Sequence, residues 1–167
     1  MAIAGSDCGN PHRSNWEQGR ERECIRTFTG NYRFLSNFYP VRIAMDDEVS
    51  SGMYPSVEHA YQACKTLNVA ERERILRCPT PGQAKRLGRE VTIRKDWEQI
   101  KLKVMYHLLR QKFGAHADLQ DRLLMTGYAE LIEGNDWHDT FWGVCNGKGQ
   151  NHLGKLLMQV REELRSR

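Results

Sequence analysis

Tyr54-Pro-Ser-Val-Glu-His-Ala-Tyr-Gln-Ala-Cys-Lys65 marks the point at which this chain changes character. Upstream of it, Val41–Met45 and Val49–Tyr54 flank the acidic turn Asp46-Asp47-Glu48 and read as a β-hairpin. From Pro55 and Ser56 onward the signals are helical, because proline suits a first turn and serine is a good N-cap. The spacing predicts a helix from there to about Leu67. A charged helix over Ala70–Cys78 follows, then one capped by Thr80, opened by Pro81 and running to about Arg89. Asp96 is placed to cap a long amphipathic helix to Phe113, with Trp97, Ile100, Val104 and Leu108 on its apolar stripe. Leu119, Leu123 and Leu124 mark another, stopped at Thr126-Gly127. Glu130–Glu133 reads as a short strand and Asn151–Arg165 as the last helix. Few strands followed by many helices give an α+β chain: a single, mostly helical domain over residues 25–167 with a small antiparallel hairpin or sheet. Residues 1–24 are polar and aperiodic and are expected to form a flexible leader, with a short helix around Trp16–Glu23.

Composition narrows the classes. A chain of 167 residues suits one domain with a sizeable core. No apolar run approaches the ~20 residues of a membrane span, and no secretory apolar segment opens the chain. The five cysteines show no CxxC spacing, which argues against a disulfide framework or a zinc site, so a cytoplasmic or nuclear setting is expected. His59, His138, His152 and Cys145 fit no standard metal spacing, and no motif asks for a cofactor. Residues 71–112 hold 12 Lys and Arg against 5 Asp and Glu, an excess that suits phosphates or nucleic acid, or a solvated helix surface.

On a helical wheel Glu58, Gln62 and Lys65 fall within about 60° of one another, opposite Val57, Ala60, Ala63 and Cys64. The bland reading is an amphipathic helix with its polar side in water. The alternative is a pocket wall, since an aromatic loop, Tyr32-Arg-Phe-Leu-Ser-Asn-Phe-Tyr-Pro40, immediately precedes the hairpin. In a pocket, Glu58 is a candidate general acid/base. Lys65 is a candidate phosphate partner or, with a depressed pKa, a nucleophile.

A second unusual stretch, Trp137–Gly154, packs two Trp, one Phe, four Gly, two Asn and two His into a segment of neither helical nor strand period. Glycines allow close backbone approach and indoles offer flat faces. The helix behind it presents an N-terminus suited to anions. The segment reads as a site for a flat, phosphate-bearing ligand, against the plainer reading of a Gly-rich turn whose Trp residues plug a local core.

These pieces together resemble the NADAR superfamily, whose bacterial members include N-glycosidases of early riboflavin-biosynthesis intermediates. The matching motifs are the Tyr32–Pro40 loop, Tyr54–Lys65, Arg86-Leu-Gly-Arg89, Asp96-Trp97 with Lys101 and Val104-Met105, Asp139-Thr-Phe-Trp-Gly143 and Asn151-His-Leu-Gly-Lys-Leu-Leu-Met158. They lie in the family's order over roughly residues 28–164. The resemblance implies cleavage of a ribose C1–N bond in a glycosylamine. Two substrate classes come with it: guanine-linked ADP-ribose in nucleic acid, and ribosylaminopyrimidine phosphates. It implies Glu58 as acid/base and Lys65 as a Schiff-base catalyst, with direct water attack as the rival. It also implies Arg33, Ser36, Asn37 and Gln62 beside the catalytic helix, Trp97 and Trp142 as base-stacking candidates, and Asp139 on ribose or base. Gly143 and Asn146 through Asn151, with Gly147 and Gly149, would supply phosphate contacts. The local positive charge leans toward the nucleic-acid substrate. A non-catalytic reader of ADP-ribose or nucleic acid is the competing class, and the Glu58–Lys65 pair speaks for catalysis. Oligomeric state is left open.

Overall fold

The computed structural model describes residues 23–166. Nearly all of the expected leader, with its Trp16–Glu23 helix, lies outside the described residues. Cys24 and Ile25 already form a strand, β1, which pairs in parallel with β4, Glu130–Leu131. The hairpin forms as β2, Ile43–Asp46, and β3, Ser51–Tyr54, in antiparallel register from Ile43 opposite Tyr54 to Asp46 opposite Ser51. A third pair, β5 (Gly134–Asn135) with β6 (Val144–Cys145), is again parallel. Three two-stranded sheets thus accompany six α-helices, and the aromatic loop holds a short 3-10 helix at Gly30–Leu35.

The helices are α1 Val57–Ala63, α2 Val69–Leu76, α3 Pro81–Leu87, α4 Trp97–Gly114, α5 Ala117–Met125 and α6 His152–Arg165. Local chemistry sets most of their starts. The side chains of Ser56, Asn68 and Thr80 each accept a backbone N–H of the first turn. Asp96 precedes α4 but does not cap it, because its carboxylate is engaged by Arg94 at 2.6 and 3.0 Å. The expected helix through Leu67 stops at Ala63. Thr66 accepts the N–H of Asn68, and Asn68 accepts those of Ala70 and Glu71, so the next helix begins there instead.

α1 sits at the centre, packed on α2, α3, α4 and both hairpin strands. Every one of its seven residues is buried, polar ones included. The bland reading of a solvated stripe therefore fails: the polar side of this helix is enclosed by the rest of the fold. His59 is tied at both ring nitrogens. Its Nε2 lies 3.1 Å from the Cys78 carbonyl, which can only accept, so Nε2 carries the proton and Nδ1 accepts the Ser56 hydroxyl at 2.7 Å. Burial lowers its pKa, and the ring serves as a neutral clamp between α1 and the end of α2.

Part of the basic segment is engaged by the protein itself, Arg72 and Lys112 by burial and others in ion pairs. Arg72, fully buried, holds Asp47 of the hairpin turn and the carbonyl of Thr66. Lys101 pairs with Glu98 and Arg77 with Glu73. Among the described residues no helix is long and apolar enough to cross a membrane.

Lys112 of α4 is also fully buried. Its Nζ donates to the Ser36 carbonyl at 2.8 Å and lies near the rings of Tyr39 and Phe113. Burial, aided by the charge of Arg122, pushes its pKa down to about 7. In the unfolded chain a lysine holds its proton to about pH 10.4. Between those two values the unfolded state binds more protons, so this group makes stability rise with pH above about 7. Across pH 7 to 9.5, thermal denaturation should show wild type gaining on Lys112→Met as pH rises. A wild-type profile parallel to that of the variant would contradict the buried, proton-shedding lysine.

Candidate active site

A cavity of about 1090 Å³ opens beside α1, walled by the Arg26–Thr29 segment, the Ser36–Phe38 loop, α1, α3 and the Ile132–Trp142 region. Glu58 stands on this wall with only 6% of its surface exposed. Its Oε1 accepts Gln62 Nε2 at 2.7 Å, and its backbone N–H donates to the Asn37 carbonyl at 3.0 Å. Burial raises its pKa; the Gln62 hydrogen bond and the charges of Lys85 and Lys65 pull the other way. A carboxyl so placed can keep its proton at rest and give it to a leaving group.

Gln62 in turn depends on Gly88, just beyond α3. A Cβ at Gly88 would lie 2.0 Å from Gln62 Oε1 and 2.6 Å from its Cδ. Only a residue without a side chain lets the amide reach Glu58. The carbonyl of Gly88 accepts Lys65 Nζ at 3.3 Å. Lys65 is half-buried, one residue past the helix cap, and does not line the cavity. Burial lowers its pKa, as do Lys85 and Arg89, while Glu58 opposes the shift.

The structure brings Ser36, Asn37, Glu58, Gln62, Asp139, Trp142 and Gly147 together on the cavity wall. Arg33 is exposed on the 3-10 helix and lies off the wall. Trp97 is buried, tilted against Tyr61 with ring centroids 5.1 Å apart, so it backs the wall rather than forming it. Trp142 meets Tyr61 edge-on at 5.5 Å and Phe141 at 5.0 Å. Asp139 Oδ1 accepts the backbone N–H groups of Phe141 and Trp142, capping a turn while also facing the cavity.

At the start of α6 the backbone donors are taken up within the protein. The N–H groups of Gln150, Asn151, His152 and Leu153 already donate to the carbonyls of Thr140, Gly143, Phe141 and Trp142. The buried Asn151 side chain bridges the N–H of Glu133 and the carbonyl of Leu131. Gly143 and Gly149 serve close packing: a Cβ on Gly149 would lie 2.1 Å from the Gly143 carbonyl, and Gly149 has φ +151°. Asn146 is exposed and left-handed, outside the wall.

Several wall residues are not among those that the sequence singles out for a role at the site. Glu133 is the chief one; burial, with the nearby Asp139 charge, raises its pKa to about 7. Lys85, Arg89, Arg26, Tyr61 and Trp137 also line the cavity. Three wall side chains, Asn37, Gln62 and Glu133, hold a buried oxygen without a hydrogen-bond partner among the described residues. Unpaired buried acceptors are rare and gather at functional sites.

Known proteins resemble this chain in sequence and in fold. The chain is 42% identical over 137 residues to the N-glycosidase YbiA of Escherichia coli (strain K12), covering 80% of this chain and 82% of that protein. It is 44% identical over 137 residues to a riboflavin biosynthesis protein of Vibrio vulnificus, of which the match spans 36%. The NMR structure of E. coli YbiA superposes with a TM-score of 0.72 at 38% identity, over 88% of this chain and 90% of that one. The NADAR domain model matches residues 25–165, and the chain belongs to the NADAR domain family.

Proposed function

We propose that the chain is an N-glycosidase that cleaves the bond between a ribose anomeric carbon and an exocyclic nitrogen, and that its substrate is ADP-ribose carried on guanine in nucleic acid. The observation that carries the reaction is Glu58, a buried carboxyl of raised pKa held by one amide on the wall of a large cavity. The N-glycosidase names of full-length relatives from E. coli and Nostoc punctiforme support the same reaction class. The cavity, at about 1090 Å³, exceeds the ~300–1,000 Å³ usual for small-ligand sites, which favours a dinucleotide-sized substrate. The name of the V. vulnificus relative favours a second reading, hydrolysis of ribosylaminopyrimidine phosphates.

In this mechanism Glu58 gives its proton to the departing nitrogen and later takes one from water. A glycosylamine can open to an imine between C1 and the base nitrogen. The Lys65 amine, swung from the Gly88 carbonyl, adds to C1 and expels the base as a free amine. Water then hydrolyses the C1–Nζ imine, and the sugar closes again. If Lys65 stays on Gly88, water attacks C1 directly with Glu58 as base.

Purified protein is expected to release ADP-ribose from a guanine-ADP-ribosylated oligonucleotide faster than it hydrolyses ribosylaminopyrimidine phosphates; the reverse order would favour the second reading. Glu58→Gln should slow release by about 10²- to 10⁴-fold with ligand binding retained in calorimetry. Unchanged rates would remove Glu58 from the chemistry. Borohydride added during turnover should fix the sugar to Lys65, located by peptide mass; no adduct would leave direct water attack.

Gly88→Ala tests the support behind Glu58. The new methyl displaces Gln62, and loss of its hydrogen bond raises the Glu58 pKa further. The limb of the pH–rate profile that reports Glu58 should move to higher pH in Gly88→Ala and in Gln62→Leu. Profiles that overlay wild type in both variants would show that Gln62 does not tune this carboxyl.

A further inference from the structure

Of the two tryptophans expected to stack the base, Trp97 is buried, and Trp142 is half-buried and held edge-on among Tyr61, Phe141 and His152. Among the described residues the open indole is Trp137, 56% exposed at the edge of the cavity. Lys85 Nζ lies 5.9 Å from its ring centroid and 5.8 Å from that of Phe38, which also lines the cavity. Both distances fall within cation–π range, so the ammonium links two aromatic faces that the fold leaves available to a ligand. Gly82, Lys85 and Arg89 follow at spacings of three and four, turning one side of α3 and its end toward the same opening. Nothing stands within 4 Å of a Cβ built on Gly82, so the mouth is open there. The neighbouring Asp136 repels anions from the Trp137 segment, which leaves phosphates to the α3 side.

We propose that Trp137, Phe38 and Lys85 form a nucleotide subsite at the cavity mouth, which stacks the base next to the modified guanine in a single strand while Lys85 and Arg89 meet the intervening phosphates. This rests on guanine-linked ADP-ribose being the substrate. It makes the enzyme a reader of strands rather than of free nucleotides. Stacking on an aromatic ring tolerates any base, so the subsite favours length without favouring sequence.

The experiment compares kcat/KM on an ADP-ribosylated single-stranded oligonucleotide with that on ADP-ribosylated guanosine monophosphate. Trp137→Ala should lower the oligonucleotide value by roughly five- to 150-fold, mainly through KM, with a much smaller loss on the mononucleotide. Trp137→Phe should restore most of it, and Gly82→Leu, which fills the mouth, should reproduce the selective loss. Equal proportional losses on both substrates, or none, would overturn the subsite. A second arm needs no turnover: fluorescence anisotropy with a labelled, unmodified single-stranded oligonucleotide at low salt. Trp137→Ala should weaken that binding several-fold, and an unchanged titration would overturn the subsite. If neither ADP-ribosylated substrate is turned over, it is the substrate assignment that falls, and the binding arm still decides whether the mouth holds a strand.

Discussion

The hydrogen bond from Gln62 to Glu58 is the constraint on which the rest of the site depends. It lies inside a helix whose seven residues are all buried, Glu58 and Gln62 edging the cavity, where a carboxylate with no hydrogen bond would be costly. The fold meets that cost with contacts drawn from distant parts of the chain. Gly88 gives the amide room, and the Asn37 carbonyl takes the Glu58 N–H. Lys112, from α4, fixes the adjoining Ser36 carbonyl. The carboxyl is thus positioned through backbone and amide groups, with no cation in direct contact to lower its pKa.

Local signals along the chain specify the parts of the fold that are locally caused. Ser56, Asn68 and Thr80 cap helices by reaching their own first turns, and the acidic turn between two short strands makes a hairpin. The wheel that grouped Glu58, Gln62 and Lys65 assumed a helix that continues past Lys65. Competition from Thr66 and Asn68 ends it at Ala63, and Lys65 turns away to Gly88. Whether the polar side met water or protein was beyond any periodicity, because α3 and its following turn cover it only in the folded chain. The two parallel pairings join two-residue strands with no alternation to read.

The Trp137–Gly154 stretch was legible as unusual, but its composition did not separate the residues that line the cavity, Trp137, Asp139, Trp142 and Gly147, from those that hold the loop together. Gly143, Gly149 and Asn151 are there because a tight loop is threaded against β4 and the start of α6, which uses the very N–H groups a phosphate would need. The basic run over residues 71–112 misled in a similar way. Arg72 and Lys112 are interior groups, whereas Lys85 and Arg89 reach the cavity. Charge counted along a chain does not distinguish a ligand's counter-charge from a buried clamp. Glu133 had no signal at all, since one acid in a polar strand end looks like any other until burial raises its pKa.

The pairing of β1 with β4 has a consequence for how the protein comes into being. Cys24 and Ile25 bond to Glu130 and Leu131, and the residues just after β1 form one wall of the cavity. During synthesis that early segment has no partner until most of the chain has left the ribosome, and closing so long a loop is slow relative to forming the helices between. The hairpin and the first helices can assemble while the wall is still missing. The pocket is therefore among the last features to be completed, and a chain halted before β4 carries the Glu58 carboxyl without the wall that closes over it.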